Sequence, residues 1–499
     1  MQKRMRLTGI VSVAVILVSC SPAPTFVEGE PDESSGRLWL RFAQITDVHV
    51  LDEESPARFL RLDGFAGMMN EAWRPQEAYA AQGLDNALQM LNAWHAGMFP
   101  HSGALDFVLV TGDVMDNAQR NELQWFVDTM DGKEVTPDSG LQDGFLRNVS
   151  PDLNPKLPFR AVGLAPDIPW YVARGNHDTH CTGVFPLRTQ AGGELVAPVP
   201  WPVAWFIGLW EVQPLVNVLQ PTSNISPAVV TGAGPATRED NLQLDMAQLR
   251  SGVIPADPER RFISKRDFIT AFLESDSLPR GHGFTERNLE QNRAWYSVRP
   301  DAAVPVRLIV LDTVAEDAPQ ENLSDYGVMT QDQFNNFLVP ELAAAREHGE
   351  FVIIVSHHPS TDFDRPYPKP TIGTWLFRQY LAAQPNILLH LCGHTHAHRF
   401  TVIPGRYPYP EVETASLIDL PQEMRVVEIR YNYETREAIL VFRAIRHTAM
   451  PTPMGAEFAR RAALDQQATG VIYAEAIGDR VYSITLPRPD FEPAQASVP

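Results

Sequence analysis

Five short blocks carry Asp, Asn and His directly after apolar runs. Asp47-Val48-His49 follows Leu38–Thr46, and Gly112-Asp113-Val114-Met115-Asp116 follows Phe107–Thr111. Gly175-Asn176-His177-Asp178 follows Trp170–Arg174, His357-His358-Pro359 follows Phe351–Ser356, and Gly393-His394-Thr395-His396 follows Ile387–Cys392. Carboxylate, amide and imidazole groups are the ligands that intermediate metal ions take, and the adjacent glycines permit close backbone approach. One such block is weak evidence, since a lone His is more often a hydrogen-bonded structural residue. Five in succession, each after an apolar run, form a specific pattern.

The elements that must position these groups are strands. The runs above, with Val306–Leu311, are short and continuously apolar, as in strands buried on both faces. Helical periodicity lies between some of them. Glu77–Trp94 places Leu84, Leu88 and Leu91 on one face, and Glu122–Met130 and Gln331–Arg346 are similar. That order predicts α/β architecture, in which ligands gather beyond the carboxyl ends of strands. Arg425–Tyr431 and Ala438–Arg443 predict a hairpin, and Val471–Leu486 adds weaker strand signals. Residues from about 185 to 304 break the pattern with Pro198-Val-Pro-Trp-Pro and a Trp-rich run at 201–210, and read as an insertion or cap. Residues 131–168 read as a second long loop.

The 499 residues are 44% hydrophobic and 20% charged, which excludes a mainly disordered chain. The net charge of −20 disfavours nucleic acid polymers and anionic lipid heads as partners. An anionic substrate would need local positive charge, most simply from metal ions. Three cysteines exclude a disulfide scaffold. Cys181 and Cys392 flank two of the blocks, and read either as a disulfide or as two small buried residues.

The start of the chain reads as an address. Lys3, Arg4 and Arg6 precede an apolar run, Gly9–Val18, that is too short to span a bilayer. Leu17-Val18-Ser19-Cys20 resembles a bacterial lipobox. The resemblance implies a signal peptide over 1–19, lipidation of Cys20 and an exported, membrane-anchored lipoprotein of the cell envelope. The alternative is an ordinary secretory signal with a chance cysteine. Residues 20–36, rich in Pro, Ser and Glu, read as a flexible tether.

The five blocks, in this order, resemble those of the calcineurin-like metallophosphoesterases. The resemblance covers about residues 40 to 400 and implies a β-sandwich flanked by helices (α-β-β-α), here with a large insertion. It implies a metallophosphoesterase domain over 37–450, with 451–499 as a C-terminal extension. Carried over by motif, one metal takes Asp47, His49 and His396, the other takes Asn176, His357 and His394, and Asp113 bridges them. Two carboxylates, one amide and four imidazoles suit divalent Mn, Fe, Zn or Co. Two ions about 3.5–4 Å apart activate a hydroxide that attacks phosphorus in line. The resemblance makes His177 the acid that protonates the leaving group, oriented by Asp116. Asp178 is expected to cap the segment after it.

Departures narrow the class. Asp116 stands where purple acid phosphatases carry a ligand Tyr, and Asn117-Ala118 replaces the Arg-Gly of the Ser/Thr protein phosphatases. The remaining pattern resembles the bacterial phosphatases and phosphodiesterases. The stretch from Asp47 to Arg58, with Gly281-His-Gly-Phe, is similar to exported members.

His180, His358 and His398 flank the blocks as candidate pocket residues. His282 reads either as a group reaching over the metals or as part of a Gly-rich turn. Arg174 reads as a phosphate clamp or a salt bridge. The expected activity is hydrolysis of phosphoric monoesters or diesters. The alternatives are a non-catalytic, metal-retaining surface lipoprotein and a phosphate- or nucleotide-binding module.

Overall fold

A computed structural model describes residues 23–32, 35–52, 74–139, 150–179, 199–200, 253–254, 257–314, 326–365, 367 and 369–496. The apolar runs are strands within a residue or two of their predicted ends. In chain order the main strands are β1 (Thr25–Glu28), β2 (Arg37–Ile45), β3 (Phe107–Val110), β4 (Trp170–Val172), β5 (Tyr296–Val298), β6 (Val306–Val310) and β7 (Phe351–Val355). They continue with β8 (Ile387–Cys392), β9 (Arg399–Ile403), β10 (Tyr409–Glu413), β11 (Glu423–Asn432), β12 (Glu437–Arg446) and β13 (Val481–Pro487).

Two mixed sheets result. The seven-stranded sheet runs β1-β13-β12-β11-β2-β3-β4, and the six-stranded sheet runs β9-β10-β8-β7-β6-β5. Strands β2, β3 and β4 are mutually parallel, as are β6, β7, β8 and β10. The expected hairpin is β11 and β12, paired over their full ten residues each.

Residue alternation explains the unbroken apolar runs. On β6 and β7, Leu308, Val310, Ile353 and Val355 enter the large core between the sheets. Their neighbours Ile309, Val352 and Ile354 enter a second core beneath helices. Each strand therefore has two dry faces, and neither face selects polar residues. Trp39 and Phe351 meet across the sheets with ring centroids 5.9 Å apart. Helices α1 (Ala80–His95), α2 (Arg120–Met130) and α3 (Lys265–Glu274) flank the first sheet, with buried Leu88, Phe126 and Phe272 in the main core. Helices α4 (Val339–Glu347) and α5 (Thr374–Ala382) cover the second, through Leu342 and Phe377. This is the expected helix-flanked sandwich.

Three domain boundaries read from composition differ in the structure. The body resumes near residue 257, inside the expected 185–304 insertion. Helix α3, with a Ser264–Asp267 capping box, buries Phe268, Ile269 and Phe272, and β5 pairs antiparallel with β6. Most of the preceding insertion, including the Trp-rich run, lies outside the described residues. The expected C-terminal extension is integral to the fold. Strand β13 inserts between β1 and β12, and helix α6 (Pro453–Thr469) packs on α1 so closely that a Cβ at Gly83 would lie 2.9 Å from the Phe458 ring. Part of the expected tether, Thr25–Glu28, is an edge strand paired with β13. All four of its residues are exposed, so its polar composition resembles a linker's.

Cys392 is a free, buried thiol, while Cys20 and Cys181 lie outside the described residues.

Candidate metal centre

Strands β2, β3, β4, β7 and β8 end within a few residues of the five blocks, and tight turns aim the block side chains at one point. Five proposed ligands adopt the left-handed backbone conformation: Asp47 (φ 52°), His49 (50°), Asp113 (50°), His394 (68°) and His396 (53°). Non-glycine residues rarely adopt it, and such strain concentrates at functional sites. The block glycines permit the crowding. A Cβ on Gly175 would lie 2.1 Å from Asp113 Oδ1, and one on Gly393 would lie 2.0 Å from Thr46 Oγ1.

In one half, Asp47 Oδ1 lies 3.3 Å from His396 Nε2 and 4.0 Å from His49 Nε2. The two Nε2 atoms are 3.2 Å apart. In the other half, His357 Nε2 lies 2.9 Å from Asn176 Oδ1, and His394 Nδ1 lies 3.1 Å from the same oxygen. Asp113 Oδ2 stands between the halves, 3.1 Å from His357 Nε2 and 3.8 Å from His49 Nε2. Ligand atoms about 2.0–2.2 Å from a shared ion are separated by similar distances. The structure thus brings all seven sequence-predicted residues together, with Asp113 between Asp47, His49 and His396 on one side and Asn176, His357 and His394 on the other.

Hydrogen bonding fixes an Nδ1 proton on three of the rings. His49 Nδ1 donates to Asp116 Oδ1 at 2.8 Å, and His396 Nδ1 donates to Asp419 Oδ2 at 2.6 Å. When both rings are neutral, as metal ligation requires, their Nε2 lone pairs face each other. His357 Nδ1 donates to the Thr111 carbonyl at 2.8 Å, so its Nε2 is the atom that faces the oxygens of Asn176 and Asp113. Neutral imidazoles and ionised carboxylates at such distances need a cation between them, a proton or a metal ion, so the residues present fit metal ions.

The electrostatics agree. Burial opposes a charge on His396, but Asp47 and Asp419 outweigh it and push the imidazole up to about 10. Burial likewise opposes His357, and Asp113 lifts it to about 9. Asp47 is held down at about 2, because His396 overrides the cost of its burial. Without metal, protons supply the positive charge that the carboxylates demand.

His177 stands at the rim of this centre. Its backbone N–H donates to Asp113 Oδ1 at 2.9 Å, and its Nδ1 lies 2.8 Å from the Asp116 carbonyl oxygen and 3.3 Å from Asp116 Oδ1. The sequence paired Asp116 with His177 alone, whereas its carboxylate makes the shorter contact with His49.

Other expectations resolve individually. Asp178 accepts backbone N–H bonds from Asp113, Val114, Met115 and Gly175, so it ties two ligand loops together instead of capping the segment after it. Arg174 is buried, donates to Thr179 and lies 3.7 Å from Asp312, which is the salt-bridge alternative. His282 stacks on Trp170 with centroids 3.5 Å apart, inside the core. His398 is bound by Glu423 and Arg425. His358 does border the centre, its ring 4.5 Å from that of His394 and its Nδ1 2.9 Å from Thr313 Oγ1. His180 lies outside the described residues. Sequence reasoning missed Asp419. No block contains it, and its only local signal is an acid within the apolar Leu417-Ile418-Asp419-Leu420.

Residues 40–243 match the family model of the calcineurin-like phosphoesterases. The match includes Asp47, His49, Asp113 and Asn176, while His357, His394 and His396 come from beyond it to complete the centre. No curated protein matches the chain. Among solved structures, a dimetal phosphatase from Danio rerio is similar at 12% identity and a TM-score of 0.40, over 82% of this chain and 97% of that one. The packing of the two sheets brings the block residues of both onto one edge.

Proposed function

We propose that the chain is a metal-dependent hydrolase of phosphoric esters, monoesters or diesters, that works with two divalent transition ions. The observation that carries this reading is the convergence of His49 Nε2 and His396 Nε2, 3.2 Å apart, beside an Asp113 oxygen 3.1 Å from His357 Nε2. Asp47, His49, His396 and Asp113 would hold one ion, and Asn176, His357, His394 and Asp113 the other. Such ions supply a water of lowered pKa and neutralise phosphate oxygens.

The chain's own groups do the rest. Two buried carboxylates and a carbonyl hold Nδ1 of His49, His396 and His357 and leave Nε2 for the centre, whereas His394 turns its Nδ1 inward. Asp116 engages His177 through Nδ1, which leaves Nε2 to face the ester. In this reading His177 Nε2 holds the proton that the departing oxygen takes. Nitrophenyl phosphate with added Mn²⁺ tests the proposal. Turnover that requires the metal and fails in Asp113→Asn supports it. A chain that binds Mn²⁺ without turnover would instead be a metal-retaining or phosphate-binding module.

The lipobox reading stands beside this proposal: export, lipidation of Cys20 and attachment to the cell envelope. Residues 1–22 lie outside the described residues, among which no helix is long and apolar enough to cross a membrane.

A further inference from the structure

The imidazoles of the two halves have unequal backing. His49 and His396 each donate Nδ1–H to a buried carboxylate, from Asp116 at 2.8 Å and Asp419 at 2.6 Å. His357 donates to a neutral carbonyl, that of Thr111. His394 has only Asp362, with Oδ2 at 3.5 Å from its Nε2. The ligand sets differ in the same sense. Asp47 and the shared Asp113 serve the first half, whereas the second has Asp113 and a neutral amide. A carboxylate behind a ligand imidazole fixes its orientation and raises its basicity.

Asp419 is itself held. Its Oδ1 lies 3.0 Å from Arg74 Nε and accepts from Gln76 Nε2 at 3.2 Å. Gln76 Nε2 also reaches Asp465 of α6 at 3.3 Å. The Asp419 backbone N–H donates to Ser416 Oγ at 3.0 Å. Arg74, Gln76, Ser416, Asp465 and Asp419 are all buried, so solvent does little to weaken the arrangement. It joins the ligand His396 to the C-terminal helix, which lies beyond the matched 40–243 stretch.

We propose that Asp419 is a positioning residue for His396, and that it makes the Asp47–His49–His396 half the tighter of the two cation sites. The proposal rests on the metal-dependent reading of the centre.

Calorimetric titration of the metal-stripped full chain with Mn²⁺ tests it, in two backgrounds that isolate the halves. Asn176→Ala disables the second half and His49→Ala the first. Adding Asp419→Asn is expected to weaken Mn²⁺ binding by roughly 10–100-fold in the Asn176→Ala background, with no change in the His49→Ala background. Asp419→Glu, which keeps the carboxylate, should recover part of the loss. Equal losses in both backgrounds, or no loss in either, overturn the proposal while leaving the metal reading intact. A wild-type chain that binds no Mn²⁺ overturns the metal reading, and this proposal with it. If Asp419→Asn does not fold, Arg74→Gln removes the cation beside Asp419 Oδ1, leaving the Gln76 bond, and should give a smaller loss in the Asn176→Ala background alone. No selective loss there also overturns the proposal.

Discussion

Asp116 Oδ1 stands 2.8 Å from His49 Nδ1, and His177 turns its own Nδ1 to the Asp116 backbone carbonyl, also at 2.8 Å. The carboxylate thus serves a metal ligand first and the proposed acid second. Burial opposes its ionisation, yet His177 and His49 together hold it far below the usual carboxylate range. Asp116→Asn should therefore weaken metal binding by roughly 10–100-fold at the His49 half, with part of the lost activity restored by excess Mn²⁺. Metal analysis after dialysis checks this. Unaltered metal content would show that Asp116 acts on His177 alone.

His177 should matter in proportion to leaving-group basicity. An alkoxide needs a proton, whereas a nitrophenolate hardly does. His177→Ala should lose about 10²–10⁴-fold on alkyl esters and much less on nitrophenyl esters, with two metals retained. Equal losses on both would assign His177 to phosphate binding.

Asp113 serves both halves, so Asp113→Asn should lower occupancy at both. Gly175→Ala should do the same by displacing that side chain, since its Cβ would lie 2.1 Å from Asp113 Oδ1. Metal-to-protein ratios measure this. A Gly175→Ala chain that binds both ions with wild-type affinity would contradict the packing argument.

Stability should fall with acid through His447. This buried ring donates Nε2–H to the Leu417 carbonyl at 3.2 Å, and its Nδ1 has no partner. Burial pushes its pKa down to about 4 from 6.5. The unfolded chain takes up the proton below 6.5 and the folded chain resists until about 4. The contribution is complete above the higher value and is lost across that window, by roughly 3 kcal/mol in total. Denaturant melts from pH 7 to 4 should show the slope in the wild type and a shallower one in His447→Gln. Identical slopes would rule out this origin.

Cys20→Ser should release the protein from membranes or leave it unprocessed. Fractionation and mass measurement check this. A mutant processed and retained like the wild type would exclude lipidation at Cys20.

The chain's local code determined much of the centre. Strands buried on both faces carry unbroken apolar runs, and each block directly follows one, so β2, β3, β4, β7 and β8 and the seven residues that converge at their ends were legible. Pairing between distant segments left no such trace. Asp419 backs His396 from 23 residues away, across the two intervening strands β9 and β10, and no spacing rule links them. Strand β1 is exposed and reads as a linker until β13 arrives from the other end of the chain. Helix α3 seemed part of an insertion because Pro-rich sequence precedes it, and only the core shows where Phe268 and Phe272 go. Residue type and the end of a strand are local properties. The choice of carboxylate behind an imidazole depends on which loops the two sheets bring to the same edge, and only the packed tertiary structure decides that.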